Sequence, residues 1–112
     1  PERFSAAMYP LYISGAVTNG SLHLMRLWKQ ILRVDGVSLK TEAGTCDVTM
    51  TVDGASAGST FSVSSTGSNQ TFGTVIQIDA TSAGKSIDFA VTNADSACVG
   101  LQVSLSTATA II

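Results

Sequence analysis

Acid–base or nucleophilic catalysis by an imidazole would have to pass through His23, the single histidine of the chain. A serine or cysteine nucleophile needs a base within reach, and the base needs a third group to orient it. His23 stands between Leu22 and Leu24 with no such motif beside it, the setting of a structural or surface histidine. Metal ligation by His and Cys calls for paired ligands at short spacings, and Cys46 and Cys98 lie far apart in the chain. Asp47, Asp53, Asp79, Asp88 and Asp95 are scattered rather than gathered into a calcium loop. A carboxylate pair set for glycoside hydrolysis is a matter of distance in space, which linear spacing does not define. Gly54, Gly58, Gly67, Gly73, Gly84 and Gly100 punctuate turns and form no phosphate-binding run. The net charge is −2 and no basic stripe is interleaved with aromatics, so nucleic acid is not an expected partner. The expectation is a non-enzymatic protein with no cofactor and no metal site.

The elements that position these residues read as strands. Cys46, Val48, Met50 and Val52 alternate with Asp47, Thr49 and Thr51, the period of a half-buried strand. Asp53-Gly54 closes it as a turn. Phe61 and Val63 repeat the alternation, and residues 67–70 break the chain. Residues 72–78 resume it with Ile76 and Ile78 on one face. After a loop over residues 79–85, Ile87, Phe89 and Val91 alternate with polar or small neighbours. A turn over residues 93–97 follows, and then Val99, Leu101, Val103 and Leu105. Leu32 to Lys40 reads as a strand interrupted at Asp35-Gly36 by a bulge. Phe61, Phe72 and Phe89 are expected in the core. Six or seven short strands with turns every eight to twelve residues indicate an all-β fold, an antiparallel β-sandwich or jelly roll.

Residues 1–30 differ. They hold all the Tyr and Trp of the chain, namely Tyr9, Tyr12 and Trp28, together with Phe4. Ser21 to Leu32 fits a helix through Leu24, Leu27, Trp28 and Ile31, or a strand less regularly; the β character of the rest favours a strand or irregular arm. We therefore read residues 1–30 as an N-terminal arm or docking segment and residues 31–112 as the β-sandwich domain. The other reading is that the segment adds a strand to the same sandwich. Phe4, Tyr9, Tyr12, Arg26, Trp28 and Arg33 are the candidate docking residues, because aromatics and Arg dominate interface energetics.

Charge supports this division. Residues 1–40 carry a net +3 and residues 41–112 a net −5, a polarity that could steer docking. Charged residues are only 12% of the chain against 45% hydrophobic. That balance excludes disorder and leaves apolar surface to be covered by partners. No run approaches the roughly 18–20 apolar residues of a membrane span, and the opening residues lack the regions of a signal peptide. Two cysteines are too few for a disulfide scaffold. As spatial neighbours they would form either one disulfide or a buried thiol pair.

The stretch from Val37 through Gly-Thr-Cys46, the alternating strand and Asp53-Gly54, then Thr60-Phe-Ser-Val-Ser-Ser65, resembles small β-domains of tailed-bacteriophage virion proteins. So does the ending Ser96-Ala-Cys-Val-Gly-Leu-Gln-Val-Ser-Leu105. The resemblance covers residues 34–106 and carries over no functional residue. It implies a virion structural component of the tail fibre, receptor-binding, adaptor or surface decoration type, assembled in the host cytoplasm. It further implies other virion proteins as partners, a symmetric oligomer that is often a trimer, and a host-surface glycan as a further ligand. A reducing cytoplasm favours the free thiol pair. A carbohydrate-binding or adhesin-like sandwich is the alternative.

Overall fold

The structure, a computed structural model, describes residues 5–80 and 83–111. Among the described residues there are eight strands and no helix: β1 (Ser5–Ala16), β2 (Gly20–Leu27), β3 (Gln30–Lys40), β4 (Cys46–Val52), β5 (Ala55–Val63), β6 (Ser68–Ala80), β7 (Lys85–Thr92) and β8 (Val99–Ile111). They form two four-stranded sheets, ordered β1-β8-β3-β6 and β2-β7-β4-β5, and every pairing is antiparallel. Only the β4–β5 connection stays within one sheet; each of the others passes from sheet to sheet. Of the two all-β architectures expected, this strand order is that of the jelly roll.

The sheets bury one shared core. Leu32, Leu39, Val48, Met50, Ile87, Phe89, Val91, Leu101 and Leu105 are almost wholly enclosed, each such side chain contributing about 1.5–3 kcal/mol. Val52, Phe61 and Ile76, also expected inside, are half-buried against it. The side chain of Phe72 lies outside the described residues.

Local chemistry explains the breaks. Asp53 and Gly54 both take positive φ, 50° and 86°, as a two-residue type I′ hairpin turn requires. The pairing of β3 shifts between Val34 and Gly36 against both neighbours, so the expected bulge is there. It places Asp35 in solvent and returns both Val34 and Val37 to the core. Residues 67–70 were read as a break, yet β6 already begins at Ser68. Pairing with Leu39 and Ser38 of β3 holds Ser68 and Asn69 in the sheet despite their turn-like composition.

The expected N-terminal arm meets a different arrangement. β1 pairs with β8 from Ser5↔Thr109 to Ile13↔Leu101, and β2 pairs with β7. Residues 5–27 thus supply an edge strand to each sheet, as in the alternative reading. The apolar side chains Tyr9, Leu11, Ile13, Leu22 and Leu24 pack on the core, which is why the segment does not stand off. Pro10 sits in the middle of β1, which an edge strand tolerates because one row of its N–H groups has no ladder partner.

The connections 17–19, 41–45, 64–67 and 93–98 meet at one end of the 48 × 23 × 22 Å molecule. Hydrogen bonds join them there: Val17 N to Cys98 O, Thr41 N to Ser64 O, Asp95 N to Thr45 O, and Ala94 N to Asn19 Oδ1. The turns at 28–29 and 53–54 lie at the opposite end.

Candidate interaction surface

His23 lies on β2 opposite Asp88 of β7. Its Nδ1 is 2.7 Å from Asp88 Oδ1, and Ser86 Oγ is 3.1 Å from that same nitrogen. A nucleophile relay uses the two ring nitrogens separately, one for the carboxylate and one for the hydroxyl. Here both partners crowd one nitrogen, and Ser86 also donates to Asp88 at 3.2 Å. The arrangement is a cross-strand surface cluster. Three other carboxylates hold backbone and loops in place. Asp53 accepts from Ser86 N at 2.8 Å, Asp47 from Asn93 Nδ2 at 2.8 Å, and Asp95 from Ala97 N at 3.0 Å. Among the described residues no three His, Cys, Asp or Glu side chains are grouped to hold a metal ion.

Cys46 and Cys98 come together at the loop end. Val99 N donates to Ala43 O at 3.0 Å and Asp95 N to Thr45 O at 3.0 Å, so the two segments run side by side. Both thiols are free and buried. Burial, and next the adjacent Cys98 thiol, push the Cys46 thiol up to about 12.

The candidate docking residues are dispersed. Phe4 lies outside the described residues. Tyr9 is half-buried, because the alternation along β1 turns Tyr9, Leu11 and Ile13 to the core and Met8, Pro10 and Tyr12 to solvent. Tyr12 is 52% exposed, and its hydroxyl donates to Glu42 Oε1 at 2.7 Å. That bond raises the phenol above its ordinary pKa, keeping the O–H intact. Arg33, on the same sheet face, donates to Gln77 Oε1 at 3.0 Å. Trp28 projects from the β2–β3 turn, 60% exposed, with Lys29 Nζ 4.8 Å from its ring centroid, a cation–π contact. Arg26 lies at this same end, its guanidinium beside Gly84. Tyr12 and Trp28 therefore belong to opposite ends.

Sequence reasoning missed a trough of about 560 Å³ on the outer face of the β1-β8-β3-β6 sheet. Two cross-strand rows line it. Tyr12, Gln102 and Lys40 make one, and Pro10, Ser104, Ser38 and Asn69 the other. The signal was present as the polar half of each alternation, but which strands lie side by side is not written in any one of them.

No family model matches the chain, and no curated protein matches it. Among solved structures it is similar to a chain in the structure of infectious bursal disease virus Gt strain, with 12% sequence identity and a TM-score of 0.43. The match covers 98% of this chain, which spans about a third (32%) of the length of the other. The jelly-roll assignment rests on the strand order itself.

Proposed function

We propose that the chain is a structural component of a tailed-phage virion, a fibre, adaptor or surface decoration protein that acts by assembly and binding. The observation that carries this reading is a jelly roll whose outward residues are prepared for contact. Met8, Tyr12 and Val75 are large, apolar and exposed on one sheet face, and the edge strand β1 contains no charged residue. Jelly rolls recur in viral capsid and lectin domains, and the motif resemblance over residues 34–106 adds to it. At the opposite end, Trp28 with Lys29 and Arg26 offers an aromatic and cationic tip suited to an acidic protein surface.

Reconstruction of particles carrying the chain, with the solution mass of the purified protein, tests the proposal. The expected result is density for this fold in the virion and a closed homo-oligomer in solution. A monomer that never enters particles would overturn it. Trp28→Ala should lower incorporation while leaving the melting temperature unchanged, since its side chain is mostly in solvent.

A further inference from the structure

The trough across the β1-β8-β3-β6 sheet has the chemistry of a sugar site. Its floor is made of small polar side chains, Ser104 on β8 and Ser38 on β3, between taller walls. One wall is β1 with Tyr12 and Pro10; the other is Asn69 at the start of β6. Adjacent strands are about 4.8 Å apart, so the outer strands stand about 14 Å from each other, and the volume lies within the range of small-ligand sites. The Tyr12 and Pro10 rings supply apolar surface against which the C–H face of a pyranose can lie. Around them stand the donors and acceptors Ser38, Ser104, Asn69 and Gln102, with the Lys40 ammonium at the end of the Tyr12 row. Ser38 Oγ donates to Asn69 Oδ1 at 2.6 Å, which engages the Asn69 oxygen and not its amide N–H groups, and the exposed Gln102 amide lies between Tyr12 and Lys40. The Glu42 carboxylate is engaged by the Tyr12 hydroxyl, whose own oxygen can still accept. Amide and hydroxyl groups around an aromatic ring match a ligand of many hydroxyls and one apolar face. Lys40, which lines the trough, and Glu42, held by Tyr12, carry one charge of each sign, so the site has no net charge to select a charged ligand.

We propose that this trough binds a neutral oligosaccharide, with Tyr12 as stacking platform and Gln102, Ser38 and Asn69 as hydroxyl partners. The site is separate from the Trp28 tip but shares Tyr12 and its sheet face with the assembly surface proposed above; sugar titration tests it apart from particle incorporation, so the two failures are distinguishable.

Isothermal titration of the whole chain with soluble neutral tetrasaccharides of the gluco, galacto, manno and N-acetylglucosamine series tests it, with sialylated oligosaccharides alongside. One neutral series should bind. Tyr12→Ala and Gln102→Ala should each weaken that binding by about tenfold or more, while Tyr12→Phe retains most of it and Trp28→Ala all of it. Unchanged melting temperatures guard against unfolding, because both altered side chains are exposed. Binding by none of the neutral series, binding confined to the sialylated sugars, or affinity untouched by Tyr12→Ala would each overturn the proposal.

Discussion

Gly44 has no room for a side chain. A Cβ built there would lie 2.4 Å from the Cys98 backbone nitrogen, and its φ is +74°, so backbone strain and a clash with an unyielding main chain act together. Gly44→Ala should cost about 3 kcal/mol. Gly54→Ala, at φ +86° with nothing within 4 Å, should cost only about 1 kcal/mol. Urea denaturation of the two variants checks the difference. Close by, the Cys46 thiol makes stability depend on pH. Its ionisation is raised from 9.0 in the free residue to about 12 in the fold. Below pH 9.0 both states hold the proton and the contribution is complete; as pH rises the unfolded chain releases it first, and stability is lost on the way to about 12. Between about pH 8 and about pH 11 the wild-type protein should therefore lose more stability than Cys46→Ala, in parallel urea titrations. At neutral pH Cys46→Ala and Cys98→Ala together should cost a few kcal/mol at most and leave assembly intact.

At the scale of elements, the edge strands decide what can be removed. Deleting residues 1–20 takes away β1, uncovers β8 along its length and strips Tyr9, Leu11, Ile13 and Val17 from the core. The remainder should aggregate or lose its cooperative melt, which size-exclusion chromatography and calorimetry will show. Strands β4, β7 and β8 were legible because strict alternation marks a strand with one wet and one dry face. The bulge in β3 was legible as well, since only an extra residue puts both Val34 and Val37 inside. The start of β5 was not, because Ala55, Ser56, Gly58 and Ser59 carry little apolar pattern and pair through the hairpin that Asp53-Gly54 imposes. β1 and β2 were obscured for another reason. In β2 the pairing shifts between His23 and Met25, so that Leu24 and Met25 both pack on the core and the alternation breaks; the outward side of β1 holds Met8, Pro10 and Tyr12, so the polar half of its alternation is missing. That same obscurity marks the outward surface as unusual.

Across the whole molecule, contacts between sheets and between chain ends decide the arrangement, and single segments carry no trace of them. The dispersal of Tyr12 and Trp28 to opposite ends follows from β1 and β2 running in different sheets, a fact invisible in their proximity along the chain. The strand order has a consequence in time. β7 and β8, made after the other six strands, occupy inner positions of the two sheets: β8 lies between β1 and β3, and β7 between β2 and β4. Until they emerge, β1 and β2 have no native neighbour, and only the β4–β5 and β3–β6 pairs can form. At about 5–20 residues per second, the nascent chain then waits a second or more with uncharged β1 open to wrong partners, a burden that long-range β pairing already places on folding speed. Arrest of synthesis just before Lys85 should leave β1 to β6 protease-sensitive, whereas emergence of β7 and β8 should make them resistant in one step. Protection of β1 before β8 is made would contradict this order.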